Sequence, residues 1–402
     1  MSKLALHGGR PVRDTPYPPW PVSGPREEEL VRNVLFSEQW GGYHPYVAEL
    51  ETLFAHLHDA THGVALANGS VALEVALQAL DIGKGDEVIV PAHSFIATAS
   101  AVTRVGATPV FVDIERETFN LDLGAVEAAM SDKAKAAIAV HFGGLLVDMD
   151  RMAKTIEKTG LDLIEDAAHA HGAEWMGQRA GGMGSVGTFS FQNSKSMTAG
   201  EGGMVITSDE EIAARMRSLI NCGRRPEGGW FDHFEPATNL RLTGLQAAVL
   251  MAQLERLPDQ IRVRQNNRAL LEERLTAPGL HLQALPDGAT LHTHYILPGW
   301  VDEDAFGASR DELVAALNAE GVPIRPFYPH PLYRNPMYQT SPCRVTKCPV
   351  AEQAVKDSFW LPQRVLMGSG RYPRHRSRHR QGLRGVQAAH QPRAVASRSR
   401  AR

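Results

Sequence analysis

One lysine, Lys195, lies in a small polar segment between two predicted strands. Residues 187–192 are rich in β-favouring and aromatic side chains, and a second apolar run at 204–207 follows Gly202 and Gly203. An amine held between two strands by small residues is suited to forming a Schiff base with a carbonyl compound. Taken alone, the residue is more typical of a solvated lysine in a surface loop, and the rest of the chain has to decide.

A carboxylate and two histidines follow an earlier apolar run, 161–166. Asp166 ends this run, where a carboxylate must be hydrogen-bonded or paired with a cation such as a protonated pyridine nitrogen. N-capping of the next segment is the alternative role for Asp166. His169 could contact a ring hydroxyl, whereas His171 suits a structural role. The two histidines alone make only a weak zinc site, because no third ligand is evident.

Three further features suit a phosphate-bearing aromatic cofactor. Gly69 and Ser70 open a predicted helix, whose free N–H groups and positive dipole end favour a phosphate; Ser70 as a plain N-cap is the alternative. Phe95 follows another strand and could stack on an aromatic ring, although a single Phe is more often core. Ser190 lies five residues before Lys195 and could reach the same phosphate. Together these residues supply the parts of a pyridoxal 5'-phosphate (PLP) site.

These residues lie at the ends of short apolar runs that alternate with amphipathic segments. The pattern predicts strands at 64–67, 87–91, 108–114, 136–140 and 161–166, and helices at 70–80, 94–105, 123–130 and about 149–159. Near-continuous apolar runs indicate strands buried on both faces, so we predict an α/β fold with a mostly parallel sheet between helices. Ligands of such sheets bind at the carboxyl ends of the strands.

The second half of the chain predicts a different organisation. Helices are expected at 209–220 and from 244 towards 274, followed by a strand at 293–297, a helix at 309–320 and a strand at 322–324. The 402 residues are 43% hydrophobic and 22% charged, which leaves room for two domains. We predict a large cofactor-binding domain with an N-terminal arm at 1–255 and a small domain at 256–370.

Composition also bears on compartment and partners. No apolar run reaches the roughly 18 residues of a membrane helix, and the first residues do not form a secretory signal. Three cysteines, Cys222, Cys343 and Cys348, are too few for a disulfide framework. These features predict a cytoplasmic protein with no metal site and no membrane partner.

The last segment, 371–402, contains ten Arg residues and no Asp, Glu or Lys. It has no apolar periodicity and cannot bury itself. One interpretation is a basic arm for nucleic acid or acidic surfaces. The other is a frameshift, because one codon choice for residues 371–376, shifted by one base, encodes Asp-Ile-Arg-Asp-Ile, the start of an amphipathic helix. We favour the frameshift, and therefore predict no nucleic-acid partner and a disordered or badly packed tail.

The motifs at 68–70, 165–172 and 189–203 together resemble the DegT/DnrJ/EryC1/StrS aminotransferases, over residues 3 to about 368. This resemblance implies a fold-type I PLP enzyme of amino sugar or aminocyclitol biosynthesis. Within the family, the loop containing Gln192 and the opening residues 4–12 are similar to the keto-cyclitol aminotransferases. Residues 189–203 are also similar to the 3-amino-5-hydroxybenzoate synthases.

The resemblance implies a complete cofactor site. Lys195 forms the Schiff base, Asp166 pairs with the pyridine nitrogen and His169 lies by the ring oxygen. The ring stack and the phosphate contacts are expected from Phe95, Gly69, Ser70 and Ser190. Asn239 matches an asparagine that reaches the phosphate of the neighbouring subunit, which implies a homodimer with shared active sites.

Substrate contacts are expected from Trp40, Tyr43, Tyr328 and His330. The sequence departs from the family pattern at two positions, 244 and 333. Gly244 replaces a usual Glu, which weakens the start of the long helix. Tyr333 stands where the family's Pro-Leu-His signature has its histidine, which bears on substrate specificity.

The resemblance implies transfer of an amino group from glutamate or glutamine to a keto sugar or keto cyclitol. In that reaction Lys195 serves as general base and acid. Three alternatives remain open. The protein could be a nucleotide-sugar aminotransferase, an enzyme like 3-amino-5-hydroxybenzoate synthase, or a PLP-binding regulatory or inactive subunit.

Overall fold

The computed structural model describes residues 3–368 of the chain. Its α-helices, in chain order, are α1 (Pro25–Phe36), α2 (Pro45–Leu57), α3 (Gly69–Ala79), α4 (Ala97–Arg104), α5 (Leu123–Ala128), α6 (Met149–Thr159), α7 (Glu210–Leu219), α8 (Gly244–Arg274), α9 (Glu303–Phe306), α10 (Arg310–Ala319) and α11 (Pro349–Asp357). Short 3₁₀ helices lie at Ala5–His7, Phe142–Gly144, Leu332–Arg334, Pro336–Gln339 and Gln363–Met367.

The strands are β1 (His62–Leu66), β2 (Glu87–Pro91), β3 (Thr108–Val112), β4 (Ala134–Val140), β5 (Asp162–Asp166), β6 (Glu174–Trp175), β7 (Gln178–Arg179), β8 (Val186–Ser190), β9 (Gly203–Thr207), β10 (Leu280–Leu282), β11 (Ile296–Val301), β12 (Arg325–Pro326), β13 (Arg344–Val345) and β14 (Ser358–Pro362). The large sheet has the order β1-β9-β8-β5-β4-β2-β3-β13, and the smaller sheet has the order β10-β11-β14-β12. A separate hairpin pairs β6 with β7.

The large sheet is mostly parallel, as predicted. Strand β9 runs antiparallel to both of its neighbours, β1 and β8, and the remaining adjacent pairs are parallel. The carboxyl ends of β1, β2, β4, β5 and β8 therefore lie at one edge of the sheet, and β9 begins at that edge. Because the strands are joined through helices, this edge collects the loops that follow each parallel strand.

Helices cover both faces of the large sheet, which explains the near-continuous apolar runs. Alternate residues of one strand enter opposite cores: Ile89 packs into one cluster, and Val88 and Val90 into the other. The first cluster includes residues of α1, α2, α5, α6 and α8, and the second includes residues of α3, α4 and α7. The smaller sheet has its own core, which contains Leu297, Leu313 and Phe359 among other apolar residues.

Several predicted boundaries were wrong, most of them in the second half of the chain. The strand expected at 293–297 is β11, which begins only at Ile296, because pairing with β14 fixes it three residues later. His294 has φ 48°, a left-handed conformation that no regular strand accommodates. The strand expected at 322–324 is β12 at Arg325–Pro326. The helix expected at 94–105 begins at Ala97, because residues 92–96 form the loop that leaves β2.

The glycine at the start of α8 does not prevent the helix from beginning there. Thr243 is the N-cap, and its side chain and that of Gln246 form a reciprocal capping box. A Cβ added at Gly244 would lie 2.6 Å from the Cβ of His44, which precedes α2. A larger side chain at position 244 would therefore push α2 and α8 apart.

Residues 3–368 belong to one compact unit. The boundary expected between residues 255 and 256 falls inside α8, and the two-domain division remains a prediction. None of the helices in this range is long and apolar enough to cross a bilayer. The Arg-rich segment 371–402, with its predicted frameshift, lies outside the described residues.

Candidate active site

The chemically suited residues gather at the carboxyl edge of the large sheet. Strands β5 and β8 are parallel neighbours that end at Asp166 and Ser190, so the two ends lie side by side. Ser190 is also paired with Gly203, the first residue of β9. The connection between β8 and β9, residues 191–202, carries Lys195 and begins and ends at this edge. We call this connection the lysine loop.

The lysine loop closes on itself at its base. The N–H of Phe191 donates to the carbonyl oxygen of Gly202 over 2.8 Å, and the N–H of Lys195 donates to the carbonyl oxygen of Gln192 over 2.9 Å. The half-buried Lys195 side chain places its Nζ 4.6 Å from the centroid of the Tyr295 ring. The amine therefore lies over an aromatic face, within the range of a cation–π contact.

Asp166 is a buried carboxylate that accepts two hydrogen bonds and interacts with the charge of Lys195. Its Oδ2 accepts a hydrogen bond from Thr98 Oγ1 over 3.0 Å, and its Oδ1 accepts one from the N–H of Ala168 over 3.3 Å. Burial raises the pKa of the Asp166 carboxyl, while the charge of Lys195 and the Thr98 hydrogen bond oppose that rise. A cation brought against Asp166 would favour the ionised form further.

His169 is neutral, and its tautomer is determined by the main chain. The N–H of Gly143 donates to His169 Nδ1 over 3.3 Å, so the proton of the neutral ring resides on Nε2. Burial lowers the pKa of His169 well below its usual range, and the charge of Lys195 acts in the same direction. Its carbonyl oxygen accepts a hydrogen bond from Thr293 Oγ1 over 2.9 Å. His169 therefore presents an N–H donor from a fixed backbone.

His171 contacts the main chain of the same edge. Its Nε2 donates to the carbonyl oxygen of Ser190 over 2.9 Å, and burial lowers its pKa well below the usual range. This hydrogen bond joins the segment after β5 to the end of β8. Among residues 3–368 no group of three or more His, Cys, Asp or Glu side chains is arranged to hold a metal ion.

The start of α3 approaches Ser190 closely enough to require glycine. A Cβ added at Gly69 would lie 2.6 Å from the Cβ of Ser190. The helix is capped by Asn68, whose Oδ1 accepts from the N–H groups of Ser70 and Val71, both over 3.1 Å. Ser70 is therefore not the N-cap, and its side chain lies at the exposed start of the helix. Together, the helix N-terminus and the Ser190 hydroxyl make a cradle suited to an anion.

Phe95 is not a core residue. It follows β2 at the same edge of the sheet, and 55% of its surface is exposed. A large exposed aromatic ring at the edge that also holds Asp166 and Lys195 is available to stack on a planar ligand.

The residues expected at the neighbouring subunit and substrate form a second group. Tyr43 donates to Asn221 Oδ1 over 2.9 Å, and Asn239 pairs with Asn221 through an isolated β-bridge. Trp40 is exposed and donates from Nε1 to the carbonyl oxygen of Leu35. The carbonyl oxygen of Trp40 also accepts from the N–H of Gly244 over 2.9 Å, so these residues contact α1, loop 221–241 and the start of α8.

Tyr328 lies within electrostatic range of Asp166 and Tyr295. Burial raises the pKa of its phenol, and the charges of Tyr295 and Asp166 act in the same direction. Its ring is 5.4 Å from that of His93, and His93 is enclosed by Phe142 and Phe327 as well. His330 lies two residues beyond Tyr328 and is partly buried.

Sequence reasoning missed three residues that contact this site. Tyr295 was assigned to a strand, which concealed its ring beside Lys195 and 4.5 Å from the ring of His169. Thr98 carried no signal, because a threonine in a helix is usually a solvated or packed residue. Gln363 bonds Ser194 of the lysine loop from 169 residues further along the chain, and no local pattern encodes such a contact.

Similar proteins of known family identify the family of this chain. The DegT/DnrJ/EryC1/StrS aminotransferase family model matches residues 22–373. The chain is 40% identical over 342 residues to an L-glutamine:2-deoxy-scyllo-inosose aminotransferase of Streptoalloteichus tenebrarius, covering 81% of each chain.

Two solved structures resemble the fold. One is 3-amino-5-hydroxybenzoic acid synthase, with a TM-score of 0.83 and 37% identity over 88% of this chain and 94% of that one. The other is DesI in the presence of its TDP-sugar product, with a TM-score of 0.80 and 33% identity over 89% of this chain and 91% of that one. The chain therefore belongs to the DegT/DnrJ/EryC1/StrS aminotransferase family.

Proposed function

We propose that the protein is a PLP-dependent aminotransferase that moves an amino group from L-glutamine or L-glutamate to a keto cyclitol or a free keto sugar. The observation that carries the proposal is the buried Asp166 carboxylate, with its raised pKa, interacting with the charge of Lys195 at an edge that also exposes Phe95. The relative that acts on 2-deoxy-scyllo-inosose with L-glutamine supports a keto cyclitol as the acceptor.

The residues fit the cofactor in charge and shape. Asp166 would pair with the protonated pyridine nitrogen, because that cation supplies the charge that the buried carboxylate lacks. The start of α3 and Ser190 form a cradle that a Cβ at Gly69 would fill. Phe95 would stack on the ring, and the Nε2–H of His169 would donate to the ring oxygen. When bound, PLP supplies an electron sink that allows an amino group to be exchanged between two carbon skeletons.

Each of these side chains has a separate task in the reaction. Lys195 would hold the cofactor covalently and, once released by the amino donor, move a proton between the substrate carbon and the cofactor. The Tyr295 ring would keep the released Nζ near the reacting atoms, since it already lies 4.6 Å from that nitrogen. Asp166 would keep the ring nitrogen protonated, and the neutral His169 would donate from Nε2 without changing charge.

The test of the proposal is a half-reaction followed by absorbance. Purified protein loaded with PLP is mixed with L-glutamine or L-glutamate without acceptor, and conversion of the visible band to the near-ultraviolet band of the aminated cofactor is recorded. We expect conversion with at least one donor and restoration of the band by a keto acceptor. A protein that binds PLP but converts neither donor would instead be a regulatory or inactive subunit.

A nucleotide-linked keto sugar is the second candidate acceptor. Loop 221–241 and the adjacent Tyr43 group basic and aromatic side chains. The Arg224 guanidinium lies 4.5 Å from the Trp230 ring centroid, and that of Arg241 lies 5.4 Å from the Tyr43 centroid. Such a surface suits a diphosphate and a base. The similarity to DesI, solved with its TDP-sugar product, adds support.

An acceptor panel separates the two candidates. The PLP-loaded protein, first aminated by its donor, is offered 2-deoxy-scyllo-inosose, a free keto sugar and a TDP-linked keto sugar. Turnover only with the nucleotide-linked compound, lost in Arg241→Ala, would favour the second candidate. Turnover with the cyclitol that is unaffected by Arg241→Ala would favour the first.

We further infer that the protein acts as a homodimer in which Asn239 contributes to the partner's site. Trp230 and Phe231 are exposed on the same loop as Asn239, and contiguous exposed aromatic surface is typical of an interface. The test is complementation between Lys195→Ala and Asn239→Ala subunits. In mixed dimers one site keeps both residues, so refolding the inactive variants together should restore up to about a quarter of the activity.

A further inference from the structure

The smaller sheet reaches the lysine loop through one buried amide. Gln363 follows β14 directly and is 3% exposed. Its Nε2 donates to the carbonyl oxygen of Ser194 over 2.8 Å, and its Oε1 accepts from the Ser196 hydroxyl over 3.3 Å. The residues on both sides of Lys195 are thus held by one side chain from the end of the described chain.

The two hydrogen bonds require an amide in this orientation. A carbonyl oxygen can only accept, so the atom facing Ser194 must be a donor. An ionised carboxylate would place acceptor against acceptor, and an aliphatic side chain would leave the buried groups without a partner. Glutamine is the residue that supplies one donor and one acceptor at this length.

The helix that carries Gln363 is itself fixed. Asn267 of α8 donates from Nδ2 to the carbonyl oxygen of Leu366 over 2.7 Å, and Arg264 Nη1 contacts Met367 Sδ at 3.7 Å. The amide is therefore a stable anchor, since its own segment is attached to the longest helix of the protein.

The lysine loop needs such an anchor. Asn193, Ser194, Gly200 and Glu201 are exposed, and the bonds of Lys195 and Thr198 are to Gln192 and Phe191 within the loop. Within residues 3–368, the hydrogen bonds that reach Ser194 and Ser196 from outside the loop come from Gln363 and from Tyr295, whose hydroxyl lies 2.7 Å from Ser194 Oγ. Both belong to the segment that builds the smaller sheet.

We propose that Gln363 is a positioning residue for Lys195. It fixes the main chain at Ser194 and Ser196, so that when the amine is released from the cofactor only the lysine side chain moves. A nucleophile displaced by about 1 Å can lose as much as 100-fold in rate, and fixing both neighbours prevents that displacement. The inference rests on the proposed function, because it requires that Lys195 binds PLP.

The experiment measures how fast apoprotein captures PLP, from the growth of the visible band, for wild type, Gln363→Ala and Gln363→Glu. Gln353→Ala is the matched control, because Gln353 is an exposed glutamine on α11. We expect Gln363→Ala to capture PLP at least about tenfold more slowly and Gln353→Ala to match wild type.

Gln363→Glu provides a readout that a general loss of packing would not give. Near pH 8.5 the ionised carboxylate repels the Ser194 carbonyl oxygen, and capture should be as slow as in the alanine variant. Near about pH 6 a buried carboxyl is largely protonated and can donate again, so the rate relative to wild type should recover. This variant also decides the question if Gln363→Ala does not fold.

Two outcomes overturn the inference alone: wild-type capture rates in Gln363→Ala, or a Gln363→Glu rate that keeps a constant ratio to wild type across this pH range. Absence of a visible band in wild type would overturn the proposed function and the inference together. A slow alanine variant with a glutamate variant that recovers at lower pH supports both.

Discussion

Thr98 donates a hydrogen bond of 3.0 Å to Oδ2 of Asp166, and Ser94 Oγ lies 3.0 Å from the same threonine hydroxyl. The three side chains form a buried chain of hydrogen bonds that connects the loop after β2 to the end of β5. A hydrogen bond donated to a carboxylate favours its ionised form, so Thr98 counteracts the rise in pKa that burial imposes on Asp166.

Thr98→Val should weaken PLP binding. The variant keeps the shape of the side chain but removes a donor to a buried charge, and we expect the apoprotein to bind PLP about tenfold more weakly, or roughly 1.4 kcal/mol. The dissociation constant from an absorbance or fluorescence titration measures this. Thr98→Ser should restore affinity, and Thr103→Val on the same helix is the control. Equal affinity for Thr98→Val and wild type would contradict the role assigned to Thr98.

The alternation of apolar runs and helices predicted the large sheet, because a parallel strand that is buried on both faces has a nearly continuous run of apolar residues. It also predicted that Asp166, Ser190 and Lys195 would meet at one edge, since each follows or joins a strand of the same sheet. The smaller sheet was predicted poorly. Its strands β10 and β12 are only three and two residues long, too short for any periodicity to register.

Lys195→Ala should remove both the visible absorption of the PLP-loaded protein and its transaminase turnover. Alanine offers no amine for covalent attachment, while Asp166, Phe95 and the phosphate cradle remain. PLP should therefore still bind, reversibly and without the band that marks attachment. Dialysis followed by absorbance and activity measurement tests this, with the exposed Lys154→Ala as the matched control. Retained transamination in Lys195→Ala would refute the assignment.

Gly69→Ala should disturb the phosphate cradle. The added Cβ would lie 2.6 Å from Ser190 Cβ, so the start of α3 must move away from β8. We expect PLP affinity to fall by about tenfold or more and the melting temperature to drop, as overpacking commonly costs about 1–3 kcal/mol. Gly83→Ala is the control, because its Cβ would meet only Val105 O at an ordinary 3.5 Å.

A second substitution separates the steric effect from the loss of a phosphate ligand. In Gly69→Ala combined with Ser190→Gly the 2.6 Å approach to the Ser190 Cβ is removed and a 3.1 Å approach to the Cα of residue 190 remains, so thermal stability should recover in part while PLP affinity stays low. If the double variant were no more stable than Gly69→Ala, the close approach of these two residues would not be the cause.

The contacts that determine the tautomer and the position of His169 could not have been predicted from the sequence. The tautomer of His169 depends on the N–H of Gly143, which has φ 71° at the end of β4, and its carbonyl is held by Thr293 from beyond α8. These are hydrogen bonds between segments 26 and 124 residues apart. The first joins the segments that follow β4 and β5, and the second joins the segment after β5 to the residues that precede β11, so no local spacing predicts either of them.

His93→Phe should make the protein more resistant to acid. His93 is 1% exposed among Phe119, Phe142, Phe327 and Tyr328, and neither ring nitrogen has a hydrogen-bond partner among the described residues. Burial lowers its pKa to about 4. The unfolded chain, with a pKa near about 6.5, therefore takes up the proton first. The stability that the neutral His93 contributes to the folded state is fully present above about pH 6.5, and it is lost as the pH falls from there through about 4.

At about 1.4 kcal/mol for each pKa unit, the His93 share of acid destabilisation is on the order of 3 kcal/mol. Urea unfolding of wild type and His93→Phe at several pH values between about 7.5 and 4 measures it. The variant should lose stability less steeply as the pH falls, and at neutral pH it should be at least as stable, because phenylalanine leaves no buried polar atom without a partner. Replacing the exposed His56 in the same way should leave the slope unchanged. Parallel curves for wild type and His93→Phe would mean that His93 titrates no differently in the folded and unfolded states.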